Sequence, residues 1–308
     1  MSCFLFVYPL KAEPNPDIVA GEIVSQYQKI RSFHSKITTE IALPDNLITK
    51  ILPKKHLGAT SFEFWFMHPD YWRYRLEILE PKEKAGLQRE HAWDGDVEYY
   101  LRDSKGKKGR IMDIRSGDKR FSYSYAGLIN HLFVPFTFLA TNLQEELRQP
   151  GMLTTPTILD ICNKDFWSSF SKAKAITSEK GLDKNFRIYE FSSGNGRGTC
   201  RVRFSILESF YPVETEIVND KGVTIVNIRA AEMAIFESLG GSPAKFHFPR
   251  LVTVRLNDTD GNEAAIMTTR LELLEINGHL DVSDFAIDPQ KANTIFDAAT
   301  KKYIKVPN

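Results

Sequence analysis

The sequence predicts an α+β protein dominated by antiparallel strands, with one large curved sheet and helices over one of its faces. Three observations carry this. Segments of alternating apolar and polar residues recur from about residue 36 to 114 and again from 172 to 287. Tight-turn signals separate them, including Asp94-Gly95, Asp220-Lys221-Gly222 and Asp258-Thr259-Asp260-Gly261. No helices alternate with the strands, which argues against a parallel βαβ sheet.

Taken in order, Pro14 and Pro16 break the chain, and Asp17 is a candidate cap. Ile23, Tyr27, Ile30 and Phe33 then repeat at helical spacing, so one amphipathic helix is expected over about 17–33. Ile37, Thr39, Ile41 and Leu43 alternate as a strand. The stretch SFEFWFMHPDYWRYRLEILE, 61–80, reads as two strands broken at His68-Pro69-Asp70. Residues 87–114 read as three short strands. Residues 121–171 turn helical in pattern, with Pro135 expected to kink or split AGLINHLFVPFTFLATNLQEELR and TPTILDICNKDFWSSF forming a second short helix. Strands resume to 287, and the end reads as a last strand and a tail. The domain expectation is one unit over 17–308 with a helical insert near 116–171.

Residues 1–16 read as the remnant of a signal peptide or a disordered N-terminus. CFLFVYPL resembles the end of an apolar core, with a cleavage site near Ala12 and an exported protein implied. Nowhere is there a run of the ~20 apolar residues that a membrane helix needs.

The net charge of +1 points to neither nucleic acid nor an anionic membrane. Cys3, Cys162 and Cys200 lack metal-like spacing; Cys162 and Cys200 could pair or stay as two small hydrophobes. The glycines of SSGNGRGTCR precede strand patterning rather than a helix, which suits a hairpin turn and not a phosphate loop. Asp258, Asp260 and Asn262 hint at a calcium loop, but Gly261 is misplaced and Thr269 stands where the bidentate Glu belongs. Gly240-Gly241-Ser242-Pro243-Ala244 lacks the second glycine of a nucleophile elbow. Histidines 34, 56, 68, 91, 131, 247 and 279 form no metal motif. No catalytic residue, metal or cofactor is expected.

The unusual feature is the aromatic pair of strands. By parity, Phe62, Phe64 and Phe66 share a face with His68, and Trp72, Tyr74 and Leu76 share a face after the turn. This wall is either ordinary core beneath the helices or the lining of a cavity for an apolar guest.

Four stretches carry a resemblance. Tyr27-Gln28-Lys29-Ile30-Arg31-Ser32-Phe33-His34-Ser35 resembles the helix-to-strand start of the periplasmic lipoprotein carrier family (LolA, with LolB as its outer-membrane counterpart). His68-Pro69-Asp70-Tyr71-Trp72-Arg73-Tyr74 is similar to its basic-Pro-x-x-aromatic turn, and Ala92 to Tyr100 to its DG hairpin. Asp284-Phe285-Ala286-Ile287-Asp288-Pro289 resembles its C-terminal F-x-x-x-P strand. The resemblance implies an open half-barrel sheet with a helical lid over a concave apolar face that holds acyl chains. Phe33, Phe62, Phe64, Phe66, Trp72, Tyr74 and Leu76 would line the cavity. Segment 126–140, with Phe133, Phe136 and Phe138, would be the lid. His68, standing where relatives commonly carry Arg, would be a latch whose hold changes as the imidazole titrates. The partners implied are an acylated lipoprotein or lipid and a membrane-bound donor or acceptor, in the periplasm or cell envelope. The chain is longer than a typical carrier near 116–170 and 236–250. The alternative is a non-transporting envelope sensor or scaffold that uses the same fold to bind a protein partner.

Overall fold

A computed structural model describes residues 15–42, 58–80, 84–103, 109–116, 132–139, 156–176, 185–192, 198–240, 243–297 and 301–306. The alternating segments form two antiparallel meanders. The first comprises β1 (Ser32–Ala42), β2 (Gly58–Met67), β3 (Tyr71–Ile78), β4 (Gln88–Trp93), β5 (Val97–Asp103) and β6 (Arg110–Ser116). The second comprises β7 (Lys174–Ala175), β8 (Phe186–Ser192), β9 (Gly198–Ser205), β10 (Tyr211–Asn219), β11 (Thr224–Glu237), β12 (Lys245–Asn257) and β13 (Glu263–Ile276). Antiparallel pairing of β1 with β13 joins them into one open 15-stranded sheet whose end strands, β7 and the C-terminal β15 (Lys302–Lys305), do not pair with each other. The mostly antiparallel class is therefore as the strand patterning predicts, and the open sheet is as the resemblance implies.

The turn at Asp94-Gly95 shows how local chemistry sets register. Asp94 Oδ1 accepts from the amides of Asp96 (3.0 Å) and Val97 (2.7 Å). Gly95 has φ +96°, and a Cβ there would lie 2.9 Å from the Tyr71 ring.

The first helix is shorter than its periodicity suggests. α1 spans Pro16–Tyr27 and is capped by Asn15, whose side chain accepts from the Asp17 amide at 3.0 Å. Pro16 at the first helical position has no N–H of its own, so the cap falls before it rather than at Asp17. The helix stops because Asn277 Oδ1 accepts from the amides of Arg31 (2.6 Å) and Ser32 (3.3 Å), donors that a longer helix would turn inward. Ile30 and Phe33 are still buried, but from the link and from β1.

The expected helical insert is mostly irregular where it is described. Val134–Leu139 is a 3-10 turn around Pro135 rather than a kinked α-helix. α2 covers only Ile158–Cys162, opened by a reciprocal capping box between Thr157 and Asp160. It ends because Asn163 leaves the helical region and caps a new 3-10 turn, Lys164–Trp167, followed by another at Phe170–Lys172. The flanking parts of the insert, and residues 1–14, lie outside the described residues.

The C-terminal expectation needs correction. Asp284–Pro289 is not a strand: Asp281 and Asp284 cap each other around the 3-10 turn Val282–Phe285, and Pro289 opens another, Pro289–Lys291. The chain then runs back as β14 (Thr294–Asp297), parallel to β6, and β15 (Lys302–Lys305).

Each face of the sheet has its own cover. The main core holds α1, the 132–139 turn and α2 against the rings of both meanders. A small second core on the other face packs Ala92, Leu101 and Met112 under Ile287 and Ala292.

Candidate functional site

The aromatic wall forms as parity requires. Phe62 pairs with Leu76, Phe64 with Tyr74 and Phe66 with Trp72 across β2–β3, and Phe33 pairs with Phe66 across β1–β2. Their rings touch: Phe33 lies 5.4 Å from Phe64 and 5.5 Å from Phe66, and Phe62 lies 5.4 Å from Tyr74. Phe33, Phe62, Phe64, Phe66, Trp72 and Tyr74 are buried, while Leu76 is half-buried at the margin of the same core.

What covers the wall is the chain itself. The turn holding Phe133, Phe136 and Phe138 lies inside the core as a plug, with every residue from Leu132 to Leu139 buried. Phe133 reaches the wall, at 6.0 Å from Phe33. Phe136 packs against Tyr27 (5.6 Å) and Tyr211 (5.5 Å). Phe138 turns toward the second meander, 5.9 Å from each of Phe170, Phe191 and Phe204. The plug therefore bridges two aromatic surfaces, of which the sequence reading identified only the first. Among the described residues, a gap of about 10 Å³ lies between Tyr27, Tyr211, Phe246 and Phe248, which is space for one water at most.

Among the described residues, the plug's backbone pairs with no strand, so its buried carbonyls need other donors. Two hydroxyls from β10 supply them. The Tyr211 hydroxyl donates to Leu132 O at 2.6 Å, and Thr215 Oγ1 donates to Pro135 O at 2.8 Å. Burial holds the Tyr211 phenol well above its usual pKa of 10, so it stays a donor. Tyr27 is raised likewise, by burial first and then by Tyr211 and Cys162. Sequence reading missed Tyr211 and Thr215. The available signal was Thr215 in phase with Ile217, a hydroxyl on a buried stripe that must find an internal acceptor.

One polar pair sits on the same face. His91 Nε2 and Glu98 Oε1 are 2.8 Å apart and buried, with His91 edge-on to Trp72 at 4.7 Å. On the opposite face, His34 stacks on Trp65 at 4.9 Å and lies between Glu63 (2.9 Å) and Glu275 (3.3 Å). Burial alone would lower the His34 pKa; hydrogen bonds to the two carboxylates outweigh it and leave it above 6.5. Glu63 is held below 4.5, chiefly by its hydrogen bond to His34. Both cysteines of the main body are free thiols, and burial pushes Cys162 up to about 11 and Cys200 up to about 12.

His68 stands apart from the plug. It follows β2 at the end of the wall, with a cis peptide to Pro69; its imidazole is exposed, and its amide donates to Arg31 O at 2.7 Å. It lines an open cleft of about 670 Å³ formed where β1, β2 and β13 end.

No family model matches the sequence, and neither does any curated protein. Solved structures do match in outline. A domain from Vibrio parahaemolyticus assigned to outer membrane lipoprotein sorting is 9% identical and has a TM-score of 0.47, over 87% of this chain and 95% of that one. A LolA superfamily protein from Nitrosomonas europaea is 10% identical with a TM-score of 0.42, over 89% and 99%. A DUF1329 family protein from Desulfovibrio piger is 9% identical with a TM-score of 0.44, over 89% and 98%. At these identities and scores the likeness is one of outline and says nothing of what this chain binds.

Proposed function

We propose that the protein is a carrier or binder of acyl chains or other lipidic ligands, without catalytic residues, whose apolar interior is occupied by its own plug until a ligand displaces it. The observation that supports this is the manner of the plug's attachment. A buried aromatic segment lies between two ring-lined surfaces, and two of its carbonyls accept from side-chain hydroxyls of β10 rather than from a strand backbone. An acyl chain entering the same space gains about 0.8 kcal/mol per buried methylene, on the order of 10 kcal/mol for a long chain. Displacing the plug takes back a large part of that, so binding should be reversible. Phe33, Phe62, Phe64, Phe66, Trp72, Tyr74 and Leu76 would line the vacated space, and Phe133, Phe136 and Phe138 would move as the lid. An envelope location and a membrane-bound donor or acceptor belong to this reading.

Native mass spectrometry of the purified protein should reveal bound lipid, or take one up when a long-chain fatty acid is added. A protein that stays bare, with no fluorescence change on titration with a long-chain fluorescent fatty acid, refutes the reading.

The second reading is a non-transporting scaffold on the same fold that binds a protein partner. The filled interior favours it, because a permanently docked plug is simply core. Such a protein should hold a partner in detergent-free buffer and exchange no lipid.

A further inference from the structure

The cleft beside His68 is built by four converging segments. Lys29 and Arg31 come from the link after α1, Met67 and His68 from the end of β2, Gly240 and Ala244 from the β11–β12 connection, and Asn277 to Leu280 from the end of β13. Asn277 holds them together from a left-handed backbone (φ +55°). Its Oδ1 accepts from the Arg31 and Ser32 amides, and its Nδ2 donates to Lys29 O at 3.1 Å and Ser238 Oγ at 2.9 Å. Gly240 passes so close that a Cβ there would lie 2.7 Å from Asn277 O. The shape is therefore fixed by side-chain bonding across the chain.

Its chemistry is one-sided. Lys29, Arg31, His68 and His279 line the cleft together with the apolar side chains of Met67, Ala244 and Leu280. Among the described residues, no carboxylate reaches Lys29, Arg31 or His68; only His279 faces one, Asp281, at 3.9 Å. Several other exposed cations of the sheet do face a carboxylate, as with Arg229–Glu214 and Arg201–Glu190. A cleft of about 670 Å³ lies in the size range of small-molecule sites. Unpaired cations beside apolar side chains suit an anion on a greasy stem.

We infer that this cleft binds a phosphate or carboxylate group carried on an apolar stem, as in the headgroup region of an anionic lipid. It is separate from the plugged interior and does not require that the interior open.

The test is a calorimetric titration with dihexanoyl-phosphatidylglycerol below its micellar concentration, with dihexanoyl-phosphatidylcholine and inorganic phosphate as comparisons. The anionic lipid should bind, more tightly than either comparison. Lys29→Gln/Arg31→Gln should weaken it about tenfold, since two exposed cations facing the anion are lost. Lys221→Gln, in the distant β10–β11 turn, should leave it unchanged. Equal affinity in the double variant, or equal affinity for the zwitterionic lipid, overturns the inference. Phosphate binding as tightly as the lipid overturns the apolar-stem assignment. Plug-loosening substitutions at Tyr211 and Thr215 should not move this titration, so its outcome is independent of whether the interior takes an acyl chain.

Discussion

Removing the plug's two anchors is the most informative perturbation. Tyr211→Phe deletes the hydroxyl that donates to Leu132 O, and Thr215→Val deletes the one that donates to Pro135 O, each with little change of shape. Both residues are buried, so each carbonyl loses a donor that water cannot readily replace. An unsatisfied buried acceptor costs about 1–3 kcal/mol. The two sites serve one segment and will not add fully. The double variant should therefore weaken plug docking by about 3 kcal/mol. If plug and ligand compete for the same space, the apparent affinity for a long-chain fluorescent fatty acid should rise by up to about a hundredfold. Thermal unfolding should fall by on the order of 5–10 °C, which confirms that the bonds were lost. A double variant that loses this stability yet binds the probe no better would show that the plug is permanent core, and would refute the displacement argument.

His34 should give the protein a pH-dependent contribution to stability. Its pKa is raised in the folded state, so its contribution is complete below about 6.5 and is lost as pH rises through the raised value. That of Glu63, whose pKa is lowered, is present above about 4.5 and is lost on acidification. Urea unfolding at pH 5.5 and pH 8.5 should show a smaller difference for His34→Gln than for the unmodified protein; equal differences would remove the pair from the explanation. Asn277→Ala should destabilise by about 2–4 kcal/mol through lost hydrogen bonds and a left-handed backbone, and Asn277→Gly should cost less. If urea midpoints for Ala and Gly coincide, the backbone contribution is absent. Cys162 and Cys200 should resist iodoacetamide at pH 8 in the folded protein and react once urea unfolds it, as read by peptide mass mapping; rapid native labelling of Cys200 would contradict its burial.

The strand alternation and turn chemistry were legible because they are local. Phe62, Phe64 and Phe66 must share a face once the segment is extended, and Asp94-Gly95 must turn wherever it stands. The wall could thus be listed residue by residue. The helix periodicity was legible too, but its end was not: Ile30 and Phe33 satisfy a helical repeat and are buried in the linker and strand instead. The deciding group, the Asn277 side chain, lies 246 positions away from Arg31.

By itself the sequence determined which faces are apolar and that the sheet is antiparallel, since burial period and turn type are properties of a few neighbouring residues. What fills the space above the wall was decided only by tertiary structure. Segment 132–139 reads equally well as core or as cover, because ring content says how much surface must be buried and not against what. The hydroxyls of β10 hold that segment against the wall through contacts 79 and 80 positions apart, which no local pattern encodes.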